Sequence, residues 1–211
     1  MSTATPAVLH EALLQSIATR GGIRRYAAQT VIMTEGDRSD QLYIILSGRV
    51  KVYTGNEAGK ELVIATHGPG EYIGELSLDG GVRSASVMTL EACTFSVVTG
   101  ANLRDFIATH PDFALSLIRK LIWRVRQATG NMKSLGLEDV YGRVVRLLHD
   151  SSEVEGTRRV VRARLTQRDI AERVGASREM VSRIFKDLTT GGYVSIEGGR
   201  IAILKKPPPA W

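Results

Sequence analysis

The hydrophobic period of this chain is strand-like over residues 23–100 and turns helical just beyond them, and that change bounds what it can fold into. Residues 23–100 carry short β-branched runs broken by glycine-centred turns. Tyr43-Ile-Ile-Leu-Ser-Gly-Arg-Val-Lys-Val-Tyr reads as strand, turn and strand, and Asn56-Glu-Ala-Gly as a turn. Glu61-Leu-Val-Ile-Ala is the next strand, His67-Gly-Pro-Gly another turn, and 82–88 and 94–98 complete the set. Many short strands at turn-punctuated intervals predict an antiparallel barrel or sandwich of jelly-roll kind. A helix is expected before them over 7–19, with Leu9, Leu13, Leu14 and Ile17 on one face.

Beyond residue 100 the apolar residues recur at three and four. A short helix is expected over 101–108, and His110-Pro111 opens a longer one. Phe113, Leu117, Leu121, Val125, Ala128, Met132 and Leu135 form a stripe long enough to favour pairing with a second copy, a homodimer. Leu115, Ile118 and Ile122 give a second apolar edge, and Arg119, Lys120, Arg124, Arg126 and Lys133 fill a polar flank. Gly136 is read as the hinge or interruption. An amphipathic helix follows over 138–150, then a polar loop over 151–156, a strand over 158–165, two short helices, and a hairpin turning at Gly198-Gly199. The expected class is α+β: a β-roll domain over 1–110, a dimerisation helix over 111–137, and a winged helix-turn-helix over 138–211. The proline-rich end is expected to be a frayed tail.

Charge separates the two ends. Of the formal +6, +4 falls in residues 138–211, the sign a phosphate backbone attracts. The single cysteine, Cys93, excludes an internal disulfide and a cysteine-ligated iron–sulfur cluster, and its strand context predicts a packed thiol. His10, His67, His110 and His149 are scattered, so no metal site is expected. No nucleophile–base motif points to an enzyme. No apolar run spans a bilayer and no signal peptide is read, so a cytoplasmic protein without membrane contact is expected.

The segment 165–188 is the most specific. Thr166 is placed to cap a helix with Asp169 as its reciprocal partner, and Ile170, Ala171 and Val174 form the inner face. Gly175 suits the left-handed helix end, and Ser177 caps the next helix, whose Val181, Ile184 and Leu188 face inward. Two short helices joined by a tight glycine turn make a helix-turn-helix. The second exposes Arg178, Glu179, Ser182, Arg183 and Lys186. Arg178 and Glu179 sit at its first turn, where arginine reaches guanine acceptors and glutamate accepts from cytosine. Arg168 and Lys186 suit phosphates, and Thr166, Gln167 and Ser177 complete the candidate DNA surface.

The second constellation spans 70–87. Gly70 and Gly74 permit tight turns, Glu75 follows in a short helical turn, and Arg83, Ser84 and Ala85 enter a strand. Arginine, hydroxyl and backbone amides make a phosphate cradle, and a carboxylate beside it can take a ribose hydroxyl. An internal Arg83–Glu75 ion pair without ligand is the competing reading.

Together these motifs resemble the cyclic-AMP receptor protein/fumarate–nitrate regulator family over residues 10–204. Gly74-Glu75-Leu76 with Arg83-Ser84-Ala85 resembles its cyclic-nucleotide cassette. Leu137-Glu-Asp-Val-Tyr-Gly-Arg resembles its hinge and first DNA-domain helix. Ser177-Arg-Glu-Met-Val-Ser-Arg resembles its recognition helix. The resemblance implies a homodimer, Glu75 on the ribose 2′-hydroxyl, Arg83 and Ser84 on the cyclic phosphate, and Arg124 and Thr129 as ligand contacts from the long helix. It implies that Arg178, Glu179 and Arg183 read a TGTGA-like half-site repeated as a palindrome in double-stranded DNA, with RNA polymerase as a further partner. Cyclic-AMP-responsive members carry adjacent Thr and Ser on the dimer helix to grip adenine; here Ala128 and Thr129 stand at those positions, so one hydroxyl of the grip is absent. Cyclic AMP is the expected effector, with cyclic di-GMP or no nucleotide as alternatives. A nucleotide-sensing module acting on a protein partner is the reading from another class.

Overall fold

The computed structural model describes residues 11–77, 79–156 and 158–208. The chain divides into two compact units, Met1–Gly55 with Val63–Gln127, and Asn56–Leu62 with Ala128–Trp211.

The first unit is a β-roll with helices. After helix α1 (Glu11–Ala18) come strands β1 (Gly22–Tyr26), β2 (Val31–Met33), β3 (Leu42–Ser47), β4 (Val50–Gly55), β5 (Glu61–His67), β6 (Tyr72–Ile73), β7 (Ser86–Thr89) and β8 (Cys93–Val98). They form two four-stranded sheets, ordered β1-β8-β3-β6 and β2-β7-β4-β5, and the registered pairs are antiparallel. Period-two alternation sends Tyr43, Ile45 and Ile73 into the core they share with Val50, Val87 and Phe95, and Leu42, Ile44 and Tyr72 to the opposite face. That face is covered by α1 (Leu14, Ile17), α2 (Gly100–Thr109; Leu103, Phe106) and the start of α3 (Pro111–Leu137; Phe113, Leu117). The centre of the first sheet is therefore buried on both sides, which is why β3 reads as a continuous apolar run rather than an alternating one. Cys93 is a buried free thiol whose Sγ lies 3.2 Å from the Glu91 carbonyl.

Two expectations change here. The expected first helix is described over Glu11–Ala18, and residues 7–10 of its expected span, Leu9 among them, lie outside the described residues. Helix α3 runs through Gly136 to Leu137; the break falls at Glu138-Asp139, where Asp139 caps α4 (Val140–Asp150) by accepting from the Gly142 amide. An exposed glycine inside a helix costs only about 1 kcal/mol and need not end it, whereas an aspartate cap starts a new one. The stripe on α3 is also partitioned differently. Phe113 and Leu117 enter the β-roll core, and the same edge continues as Lys120 and Arg124. The solvent-facing apolar edge is Leu115, Ile118, Ile122, Val125 and Met132, at alternating spacings of three and four wherever one follows another within a turn.

The second unit gathers α4, β9 (Ser152–Glu155), β10 (Arg158–Val161), α5 (Gln167–Val174), α6 (Arg178–Thr190), β11 (Val194–Glu197) and β12 (Arg200–Ile203) around Val144, Leu148, Ile170, Val181, Phe185 and Leu188. The sheet order is β11-β12-β10-β9. Residues 152–155, expected as loop, are a strand because Arg158–Val161 offers them a partner, with Gly156 turning the chain at positive φ. The tail is tied rather than frayed as far as Pro208, whose carbonyl accepts from the Tyr141 hydroxyl at 3.0 Å.

Candidate functional site

Strand β6 ends at Ile73, and the next residues bring the cassette together. Gly74 has φ +90°, and a Cβ there would lie 2.5 Å from Arg83 Nη1 and 2.8 Å from the Gln41 carbonyl oxygen. Only glycine satisfies both the backbone angle and the approach of Arg83. The Arg83 guanidinium is 5% exposed and donates to the Gly74 carbonyl (2.7 Å), the Gln41 carbonyl (2.8 Å) and the Ser39 hydroxyl (2.9 Å). Burial lowers its pKa, opposed by the charges of Glu75, Asp40 and Asp37 and by Tyr43. Ser84 is exposed beside it, Ala85 is half-buried before β7, and the Leu76 side chain is exposed.

The competing reading paired Glu75 with Arg83; the ion pair described for Glu75 is with Arg124. Glu75, 7% exposed, opens the 3-10 turn Glu75–Ser77, and its Oε1 pairs with Arg124 Nη1 from α3. Arg124 Nη2 also donates to the Tyr72 carbonyl at 2.9 Å. Among the described residues, three buried polar atoms at this junction have no hydrogen-bond partner: Glu75 Oε2, Arg124 Nε and the Tyr72 hydroxyl. Buried polar groups are almost always paired, so three orphans in one place mark a surface shaped for something further. One turn earlier on α3, Lys120 Nζ lies 4.0 Å from the Tyr72 ring centroid and 3.7 Å from Glu71 Oε1. Glu71 is bonded in turn to His67 Nδ1 (3.1 Å) and the Gly68 amide (3.0 Å).

Gly74, Glu75, Arg83 and Arg124 thus converge as the sequence predicts. Thr129 lies on the exposed edge of α3, in register with Ile122 and Val125. Lys120, expected on the polar flank, faces the β-roll instead. Sequence reasoning missed Tyr72, Ser39, Gln41, Glu71 and the inward turn of Lys120. The signal for the last was present: 113, 117, 120 and 124 share one helical edge, whose apolar half is the docked one.

In the second unit the helix-turn-helix forms as its caps predict. The Thr166 side chain accepts from the Asp169 amide while the Asp169 carboxylate accepts from the Thr166 amide, and Gly175 takes φ 67°, ψ 35°. Ser177 accepts from the Met180 amide to start α6. Val181, Ile184, Phe185 and Leu188 are buried, which leaves Ser177, Arg178, Glu179, Ser182, Arg183 and Lys186 exposed together. Thr166 and Arg168 are exposed and Gln167 half-buried at the start of α5. Arg168 is engaged by Glu172 at 2.8 Å. The amide at the helix N-terminus and the Ser177 hydroxyl hold the Glu179 carboxyl below its ordinary range, so it enters any contact as an acceptor. Among the described residues no group of histidines, cysteines and carboxylates is placed to hold a metal, and no helix is long and apolar enough to cross a membrane.

Comparison with known proteins meets both sites. Residues 23–110 match the cyclic nucleotide-binding domain and residues 142–207 the Crp-like helix-turn-helix domain. The CRP-like cAMP-activated global transcriptional regulator of Mycobacterium tuberculosis is 35% identical over 177 residues, covering 82% of this chain and 79% of the relative. The cAMP-activated global transcriptional regulator Vfr of Pseudomonas aeruginosa is 29% identical over 209 residues, covering 95% and 96%. Among solved structures, the c-di-GMP responsive global regulator CLP of Xanthomonas campestris superposes with a TM-score of 0.82 at 25% identity, over 92% of this chain and 99% of that one. With a cyclic-nucleotide cassette in one unit, a capped recognition helix in the other, and relatives that span both, this chain belongs to the CRP/FNR family of transcription regulators.

Proposed function

We propose that the protein is a homodimer whose affinity for a palindromic DNA operator is set by cyclic AMP bound at the Glu75–Arg83–Arg124 junction. The observation that carries this reading is the Glu75 carboxylate. One oxygen is held by Arg124 and the other is buried with no partner among the described residues, an acceptor placed for a ligand hydroxyl such as the ribose 2′-OH. Arg83 and the exposed Ser84 supply the donors for a cyclic phosphate. The exposed edge of α3 supplies the dimer seam, with Thr129 on it as the residue facing the base. Arg178, Glu179 and Arg183 read base edges, while Arg168 and Lys186 hold phosphates and Thr166, Gln167, Ser177 and Ser182 complete the contact surface. RNA polymerase is the partner such a regulator addresses.

Control follows from differential binding. The ligand stabilises whichever arrangement of α3 and the Glu138-Asp139 break it contacts better, and that arrangement sets the recognition helices about 34 Å apart, one turn of duplex. A second effector, cyclic di-GMP, is favoured by Ala128, which removes one hydroxyl from the base grip, and by the likeness to the c-di-GMP responsive CLP. Calorimetric titration with cyclic AMP, cyclic GMP and cyclic di-GMP tests both. Glu75→Gln removes the acceptor charge yet keeps the shape, and is expected to weaken cyclic AMP at least tenfold. Wild-type affinity in Glu75→Gln would take the ligand away from this carboxylate.

A further inference from the structure

Helix α3 sends two cations, one turn apart, across to β6: Arg124 to Glu75 and the Tyr72 carbonyl, Lys120 to Glu71 and the Tyr72 ring. Both approach the Tyr72 ring, Lys120 Nζ at 4.0 Å and Arg124 Cζ at 5.6 Å from its centroid, and the tyrosine is itself 0% exposed. Two cations this close repel, and they are held by a carboxylate each. We infer that Lys120 is a positioning residue for the nucleotide site, acting through Tyr72 and the Glu75–Arg124 pair, and that its ammonium makes affinity for an anionic nucleotide depend on pH.

The groups that face Lys120 are few and named. They are Arg124 on its own helix, Tyr72 on β6, Glu71 and through it His67 at the end of β5, and Glu75 in the 3-10 turn. Burial, and after it Arg124, lower the Lys120 pKa to about 8, with Glu71 and Glu75 opposing. The sign follows by linkage. Glu75 and Arg124 are the groups that meet the ligand in the proposed function, on which this inference rests. A cyclic phosphate placed beside them adds a negative charge within Coulombic range of Lys120 and raises the proton affinity of its amine. The bound state then holds more protons than the free state, so affinity falls as pH rises through about 8. Loss of the ammonium also releases Glu71 and removes the cation from one face of Tyr72, loosening the β6 end that presents Glu75.

The test is calorimetry of wild type, Lys120→Met and Lys120→Arg with cyclic AMP from about pH 6.5 to about pH 9.5, where the ligand has no titrating group. Wild type is expected to lose about three- to tenfold in affinity across this range. Lys120→Met is expected to be pH-independent at the weaker level, and Lys120→Arg pH-independent at the stronger, because guanidinium stays protonated. His67→Gln should keep the wild-type slope. Binding without a pH slope in wild type, or the wild-type slope surviving in Lys120→Arg, overturns the inference and leaves the nucleotide site standing; the arginine variant decides even where Lys120→Met does not fold. Absence of any heat from wild type with cyclic AMP at every pH overturns the cyclic AMP reading and this inference with it.

Discussion

Arg83 shows how a residue named for one task is held by another. The family cassette places it on a phosphate, and here its guanidinium already joins Gly74, Gln41 and Ser39. Arg83→Leu therefore strips donors from two carbonyls as well as from any ligand, at about 1–3 kcal/mol for each group left unsatisfied. We expect Arg83→Leu to lower the melting temperature and abolish nucleotide binding together, and Arg83→Lys to keep more of the fold than of the affinity; a leucine variant that melts like wild type would mean the three bonds carry no stability. At the recognition helix, Arg178 is exposed and its side chain makes no hydrogen bond or ion pair among the described residues, so Arg178→Ala should leave the melt unchanged and cost about 1–3 kcal/mol of binding to the preferred duplex. Equal loss on every duplex would make it a phosphate contact instead. The cassette and recognition residues were legible in the sequence because their types are tied to chemistry. Tyr72 and Glu71 were not, because a tyrosine in an apolar run and a glutamate in a turn look ordinary until α3 is docked on them.

At the scale of elements, the caps were the reliable guides and Gly136 the poor one. Thr166 with Asp169, Gly175 and Ser177 each do locally what their side chains or backbone freedom demand, so α5 and α6 fall where the sequence places them. Gly136 interrupts nothing because the neighbouring turns of α3 carry the helix through it, and Asp139 makes the break three residues later. Helix α3 has two apolar edges, and spacing alone does not say which meets the β-roll. Docking of Phe113 and Leu117 decides it, leaving Ile118, Ile122 and Val125 outward, with Val125 64% exposed. A seam with this alternation suits knobs-into-holes pairing. Replacing Ile118 and Ile122 together by Glu should give monomers by light scattering with an intact thermal unfolding of the β-roll. Retention of the wild-type mass would place the interface elsewhere.

Across the whole molecule, the two ends carry different physics. The C-terminal part holds most of the net positive charge, so DNA affinity should fall steeply with salt, whereas the buried pairs of the β-roll are screened little. Acid has its own signature. The Glu71 carboxyl feels a burial cost that raises its pKa, but His67, the Gly68 amide and Lys120 outweigh it and hold the value down at about 2. A depressed carboxylate contributes stability that is complete above the unfolded value near 4.5 and lost as pH falls toward about 2. Glu71→Gln should therefore flatten the acid limb of the stability profile without moving the neutral plateau relative to its own value at pH 5; an unchanged acid limb would remove Glu71 from it.

What links the two ends is the claim that nucleotide at the β-roll sets the affinity of α6 for DNA. Fluorescence anisotropy with a duplex selected from random sequence, titrated with protein in the presence and absence of cyclic AMP and cyclic di-GMP, tests it most directly. At least tenfold tighter binding to the selected duplex is expected with one of these nucleotides, and loss of that gain in Glu75→Gln. The same affinity for the selected duplex with and without either nucleotide would contradict it.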